Sequence, residues 1–212
     1  MPSPIVHLEI LFQLYDELNV PLTSRIVLGV ISPDAIHTRM NQTWADKAKT
    51  HLYSEADIDY QQALTIAKSL LKKTSCDFQL GYQIHLLTDY LWREHVYTPY
   101  FLQYKDVMSR SDLHSGYYKD MNVLDDFILK KAQWLPQAVE FLSATVVEEN
   151  FPLLSKNELE KWRLKVLNQD LRLTLASPTH TTLKYFEMAN LDSFIEMVTV
   201  ELQNVFFKST IE

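Results

Sequence analysis

The most informative part of the chain is the stretch Phe78-Gln-Leu-Gly-Tyr-Gln-Ile-His85-Leu-Leu-Thr-Asp89-Tyr-Leu-Trp-Arg-Glu-His95-Val96. It is mostly apolar and free of proline, which predicts a largely buried helix over about residues 77–95. His85 and Asp89 are four residues apart and therefore share one helix face. A buried imidazole and a buried carboxylate both need partners, and a metal ion would satisfy both. The commoner alternative is a core histidine hydrogen-bonded to an aspartate.

Composition places the chain among ordinary globular proteins. It has 212 residues, of which 47% are hydrophobic and 22% are charged. Three glycines and long helical patterns predict an all-α, single-domain, multi-helix bundle over residues 1–212. The net charge of −7 argues against stable nucleic-acid binding through a broad basic surface. The chain has one cysteine, no uninterrupted apolar run of about 20 residues and no features of a signal peptide. We therefore predict a cytoplasmic protein without a transmembrane segment.

Hydrophobic periodicity and capping signals predict the other elements of the bundle. Apolar or helical patterns cover about residues 5–18, 23–31, 54–72, 117–131, 135–149, 155–170 and 191–207. The segment 35–50 is polar and weakly periodic, and we interpret it as a long loop with one helical turn. We interpret the segment 109–116 as a turn-rich link, which is also a loop. The segments 54–57 and 155–158 resemble capping boxes at the start of their helices.

Three further candidate ligands lie outside the central stretch. His7 falls on the apolar face of the first predicted helix, Asp34 follows the end of the second, and His51 stands at a junction between a loop and a helix. With His85 and Asp89 they offer imidazole and carboxylate donors without a thiolate. This donor set suits zinc or a similar divalent ion at an open, catalytic centre. Each residue alone is more commonly packed or solvated, so the hypothesis requires that they meet in the fold.

The order and spacing of these residues resemble the bacterial zinc-dependent phospholipase C family. The pattern is His7, then Pro33-Asp34, then His51, then Gly81-Tyr-Gln-Ile-His85-x-x-x-Asp89-x-x-x-x-x-His95, and it covers about residues 5–125. Single-strand-specific zinc nucleases of fungi share the all-helical fold of that family. The resemblance implies this type of bundle, with zinc or another divalent metal as cofactor.

The resemblance also implies particular ligands. One zinc would be held by Asp34, His51, His85 and Asp89, and Asp89 would bridge to a second zinc bound by His7. The family completes that second site with the amino group of an N-terminal tryptophan, where this chain has methionine followed by proline.

A third zinc site of the family involves the histidine six residues after the helix aspartate, which is His95 here. Its implied partners are His114 and a nearby carboxylate. Tyr118 stands four residues after His114, where the family has glutamate, and Asp120 is the nearest acid. The resemblance therefore implies between one and three ions in all.

The activity that the resemblance implies is a metal-dependent phosphoesterase. Its substrate would be a small-molecule or lipid head-group phosphate ester, attacked by a metal-activated water. Asp34, where it is not purely a ligand, would orient or deprotonate that water as a catalytic residue. Arg39, Lys47 and Lys49 could meet phosphate oxygens, although charged loop residues are more often solvated. We interpret His37 and His180 as surface histidines.

Two other functions remain open at this point. A non-catalytic metal-binding or interaction protein on the same helical fold fits the missing tryptophan and the altered third site. A helical phosphohydrolase with adjacent His-Asp ligands is disfavoured, because the chain contains no His-Asp dipeptide.

Overall fold

The computed structural model describes residues 1–52, 60–70, 75–148, 151–175 and 183–207, and within these ranges the chain is helical and has no β-strand. The prediction of an all-α fold is therefore confirmed. The α-helices in chain order are α1 (Pro4–Leu18), α2 (Ser24–Ile31), α3 (Trp44–Thr50), α4 (Tyr60–Leu70), α5 (Cys76–Trp92), α6 (Thr98–Tyr104), α7 (Arg110–Lys131), α8 (Leu135–Ala144), α9 (Lys156–Asn168) and α10 (Met188–Phe206). Shorter helical segments are the 3₁₀ segments Ser32–Thr38 and Asp170–Leu175 and the π turn Arg93–Tyr97. Among the described helices, none combines the length and the apolar character that crossing a bilayer requires.

Local capping residues explain where α1 begins and ends. The Oγ of Ser3 accepts the backbone N–H of Val6 at 3.3 Å, and Pro4 occupies the first turn, where its missing N–H costs nothing. The helix ends at Asn19, which adopts a left-handed conformation with φ of 51°. The predicted helix over residues 5–18 is confirmed.

Helix α5 lies at the centre of the bundle. It contacts α1, α2, α4 and α10, and its buried apolar side chains belong to the main hydrophobic core. This explains why its sequence is apolar on several faces rather than along one stripe. The α-helix ends at Trp92, three residues before the predicted end, and the chain continues through the π turn into α6.

Two glycines allow α2 and α5 to cross in backbone contact. A Cβ atom placed on Gly81 would lie 2.2 Å from the carbonyl oxygen of Ile26 and 2.8 Å from the backbone nitrogen of Val30. A Cβ on Gly29 would lie 3.1 Å from the Cα of Gly81. Only residues without a side chain permit this approach, which brings the end of α2 against the middle of α5.

Two segments predicted to be loops are largely helical. Residues 35–50 contain the end of the first 3₁₀ segment and the whole of α3, and residues 109–116 contain the first turns of α7. Thr43 and Asp46 form a reciprocal capping box at the start of α3. Ser109 caps α7 by accepting the N–H of Asp112. Both signals are visible in the sequence.

The predicted capping box at 54–57 lies outside the described residues, and α8 ends at Ala144 rather than near residue 149.

Candidate metal centre

Five buried side chains meet beside the α2–α5 crossing: His7 from α1, Asp34 from the first 3₁₀ segment, His51 at the end of α3, and His85 and Asp89 from α5. We call these five residues the His/Asp cluster. Nε2 of His7 lies 3.4 Å from Oδ1 of Asp89, and Nε2 of His85 lies 3.7 Å from Oδ2 of the same carboxylate. Nε2 of His51 lies 3.3 Å from Oδ1 of Asp34 and 3.6 Å from Oδ2 of Asp89. The structure thus brings together the predicted ligands of the first two sites.

His85 presents a nitrogen lone pair to the cluster. Its Nδ1 lies 2.8 Å from the carbonyl oxygen of Val30, which can only accept, so Nδ1 carries the proton. Burial lowers the pKa of His85 to about 3, which keeps the ring neutral. Within the described part of the chain, Nε2 has no hydrogen-bond donor, and it faces the carboxylate of Asp89. The Nε2 lone pair of His85 and the carboxylate of Asp89 therefore face each other, as two ligands do around a cation.

His51 is oriented in the same way. Its Nδ1 donates to the carbonyl of Lys47 at 3.0 Å, which directs Nε2 toward Asp34 and Asp89. The hydroxyl of Tyr82 holds the next turn in place by donating to the carbonyl of Thr50 at 2.5 Å. A backbone carbonyl on the far nitrogen is a common support for a histidine that binds metal.

His7 stacks on His85 with the ring centroids 3.8 Å apart and the planes 12° from parallel. The side chain is buried, and neither of its ring nitrogens forms a hydrogen bond with another described residue. Leaving a buried polar atom unsatisfied costs about 1–3 kcal/mol. A cation between His7 and Asp89 would provide the missing interaction.

Both carboxylates of the cluster are held ionised. Burial alone would raise the pKa of Asp34, but the neighbouring His37 and His51 side chains and the ammonium of Lys47 hold it well below its usual value. Burial would also raise the pKa of Asp89, but His85, His7 and His51 lower it. Two buried negative charges beside a neutral His85 require positive charge nearby.

The donor atoms form two overlapping triads that could each hold an ion. One consists of His7, His85 and Asp89, the other of Asp34, His51 and His85, and within each triad the donors lie within 4.8 Å of one another. Asp89 directs Oδ1 toward His7 and Oδ2 toward His51 and His85, so it could serve both. Nitrogen and oxygen donors without sulfur suit zinc or a comparable divalent ion.

The residues predicted for a third site lie apart from the cluster. His95 is exposed on the π turn, and His114 packs against Phe101 with the ring centroids 4.9 Å apart. Asp120 is buried on α7 and accepts backbone N–H groups from three consecutive residues, at 2.6–3.1 Å, namely Lys184, Tyr185 and Phe186. Among the described residues, no group of three donors that could hold an ion includes His95, His114 or Asp120. Asp120 instead ties the segment before α10 to α7.

The charged residues around Asp34 differ in what they contact. His37, predicted to be a surface histidine, places Nε2 3.5 Å from Oδ1 of Asp34. Lys47 places Nζ 3.9 Å from the same oxygen. Arg39 instead forms an ion pair with Glu158 at 2.6 Å and so joins the end of the 3₁₀ segment to α9. The positions of these residues in the sequence do not by themselves predict which of them contact Asp34 and which contacts α9. His180 lies outside the described residues.

Asp125 is a buried carboxylate on α7 to which the sequence assigned no role. It accepts a hydrogen bond from the Oγ of Ser3 at 2.5 Å, which links α7 to the start of α1. Burial raises its pKa to about 7, an effect to which the charge of Asp170 adds. The folded protein therefore holds this proton more tightly than the unfolded chain does.

The raised pKa of Asp125 predicts a loss of stability with rising pH. The unfolded chain releases this proton near pH 4 and the folded protein near pH 7, so the free energy of unfolding should fall across that interval by up to about 4 kcal/mol. Asp125→Asn keeps an acceptor for Ser3 and stays neutral, so its advantage over wild type should grow with pH. Urea unfolding in chelator at several values between pH 4.5 and 8 measures this. The exposed Asp16→Asn serves as control, and a pH-independent difference for Asp125→Asn would contradict the prediction.

Comparison of this chain with family models, with curated proteins and with solved structures finds no match. The case for a function therefore depends on the geometry of the His/Asp cluster and on the sequence pattern.

Proposed function

We propose that this protein is a metal-dependent phosphoesterase in which the His/Asp cluster binds zinc or a similar divalent ion. The observation that carries the proposal is the orientation of His85. Its Nδ1–H is used by Val30, its ring is neutral, and the Nε2 lone pair faces a carboxylate held ionised. A simple histidine–aspartate hydrogen bond would require a proton on that nitrogen. The fold would be that of the phospholipase C and zinc nuclease type, as the sequence pattern suggests.

The residues present fit such an ion. Imidazole nitrogens of His7, His51 and His85 and carboxylate oxygens of Asp34 and Asp89 surround the same space. A bound divalent ion would supply Lewis acidity toward water and toward a phosphoryl oxygen. It would also offset the two carboxylate charges and give His7 an interaction that it lacks among the described residues.

Asp34 is the residue of the cluster best placed to act on water. Its side chain is 11% exposed, whereas that of Asp89 is 2% exposed, so Asp34 lies on the accessible edge. Its lowered pKa keeps it ionised and able to accept a proton or to orient a water molecule by hydrogen bonding. The substrate would be a small-molecule or lipid head-group phosphate ester.

One observation favours the second function, a non-catalytic metal-binding protein. The cluster is almost fully buried, and Asp34, His51, His85 and Asp89 could fill a four-coordinate site without leaving room for substrate. Such a protein would bind one ion tightly and hydrolyse no phosphate ester.

Metal removal tests the proposed function directly. We expect purified protein to contain at least one zinc or comparable ion per chain by elemental analysis, and to hydrolyse a chromogenic phosphodiester or monoester. Chelation should abolish hydrolysis, and added zinc should restore it, because the ion supplies the Lewis acid. Activity that persists after the ion has been shown to be gone would refute the proposal. A tightly bound ion without hydrolysis would favour the non-catalytic alternative.

A further inference from the structure

Lys47 and His37 form a second layer of polar groups on the accessible side of Asp34. Nζ of Lys47 lies 3.9 Å from Oδ1 of Asp34, and Nε2 of His37 lies 3.5 Å from the same oxygen. The two nitrogens are 3.4 Å apart. The three polar atoms thus lie within 3.9 Å of one another, next to the His/Asp cluster.

The hydrogen-bond partner of His37 determines which nitrogen carries its proton. The side-chain amide N–H of Gln42 donates to Nδ1 at 2.9 Å, so Nδ1 accepts and Nε2 carries the proton. Nε2–H of His37 and the ammonium of Lys47 are then two donors that lie side by side next to Oδ1 of Asp34. Donors that converge in this way suit an anion with several oxygens, such as a phosphate group.

The backbone holds Lys47 in a defined position. Its carbonyl accepts the Nδ1–H of His51, so the residue that orients His51 also carries the ammonium beside Asp34. The capping box of α3 and the ion pair between Arg39 and Asp46 at 3.1 Å fix the helix that carries it. Lys49, two residues further on, is exposed and lies about 200° around the same helix.

Side-chain exposure increases from the cluster toward this pair. It is 2% for Asp89, 11% for Asp34, 25% for Lys47 and 36% for His37. Lys47 and His37 are therefore the more exposed of the polar groups that lie against Asp34. The ammonium also offsets part of the negative charge of Asp34 that would repel an anion.

We infer that Lys47 and His37 form the subsite that binds the non-bridging oxygens of the substrate's phosphate group. This inference rests on the proposed function and names the part of the same site that recognises substrate. Lys47 is the main contributor because it carries a full charge, and His37 adds a directed hydrogen bond. The subsite holds the phosphorus close to Asp34 and to the ion that the cluster binds.

Affinity for inorganic phosphate tests the inference in the zinc-loaded protein. Lys47→Met keeps the aliphatic stem and removes the charge, and we expect it to weaken phosphate binding by at least about tenfold, since a charge-assisted hydrogen bond is lost. Metal content per chain should stay at the wild-type value, because the side chain of Lys47 is not one of the ligands of the cluster. Lys47→Arg should recover part of the affinity. Lys49→Met is the matched control and should bind phosphate within about twofold of wild type.

Calorimetric titration with phosphate and elemental analysis of the same samples separate the possible outcomes. If wild type binds zinc and phosphate, and Lys47→Met binds both as tightly, the subsite is wrong while the proposed function stands. If Lys47→Met and Lys49→Met weaken phosphate binding equally, the effect is general electrostatics and the subsite is again wrong. If wild type holds no metal, or zinc-loaded wild type binds no phosphate, both the proposed function and this inference fail.

Discussion

Asp89→Asn is expected to abolish the proposed metal binding and to lower the proposed phosphoesterase activity by at least about a thousandfold. Asp89 faces His7 through one oxygen and His51 and His85 through the other, so its charge reaches all three histidines of the cluster. Asparagine has nearly the same shape as aspartate, so the core around α5 should keep its packing. It is neutral and a much weaker ligand than the carboxylate. Elemental analysis and hydrolysis of a chromogenic phosphate ester measure the two losses in one preparation.

A second aspartate provides the control for this experiment. Asp126 on α7 forms an ion pair with Lys130 at 3.3 Å, and neither residue belongs to the His/Asp cluster. Asp126→Asn should retain metal and activity. Wild-type metal content in folded Asp89→Asn would show that the carboxylate is not a ligand, and the assignment of the cluster as a metal centre would then be wrong.

Gly81→Ala is expected to destabilise the folded protein by about 3 kcal/mol or more. The new Cβ would lie 2.2 Å from the carbonyl oxygen of Ile26 and 2.8 Å from the backbone nitrogen of Val30, and backbone atoms of a packed helix cannot move aside individually. Helices α2 and α5 must therefore separate. The midpoint of thermal unfolding should fall by roughly 6–12 °C, and the Val30 carbonyl that orients His85 should be displaced.

Gly116→Ala gives the matched comparison, because Gly116 also lies inside a helix. A Cβ there would meet side-chain atoms, the nearest being Cε2 of Tyr185 at 2.6 Å, and a ring end can yield where a backbone cannot. Alanine also favours the helix by about 1 kcal/mol over glycine. We expect a much smaller loss of stability than in Gly81→Ala. Equal thermal midpoints for Gly81→Ala and wild type would show that the two helices do not cross as closely as described.

Asp89→Asn and Gly81→Ala separate two different causes of lost function. Asp89→Asn should leave a folded protein without metal, whereas Gly81→Ala should impair the fold and, through it, the position of His85. Zinc added in excess should partly restore the stability of Gly81→Ala, because binding to the folded state stabilises it by mass action. It should have little effect on the stability of Asp89→Asn.

Much of the candidate site was open to prediction from residues alone. The shared face of His85 and Asp89 follows from their spacing within one helix, and both lie in α5 as expected. The inward direction of His7 follows from the leucines on the same face of α1. The capping boxes at Thr43 and Ser155 are equally local, although the polar composition after Thr43 predicts a loop where α3 forms.

Sequence alone predicts the helical class, the approximate position of α1, α5, α9 and α10, and the pairing of His85 with Asp89, because helix periodicity and capping act over about four residues. The three-dimensional fold is needed to show that Asp34 and His51 reach that pair, and that Lys47 lies against Asp34 while Arg39 joins α9. It also decided that Asp120 holds a backbone segment at a distance from the cluster. These outcomes depend on how closely α2 and α5 approach at Gly29 and Gly81, a contact between residues far apart in the chain that no local pattern encodes.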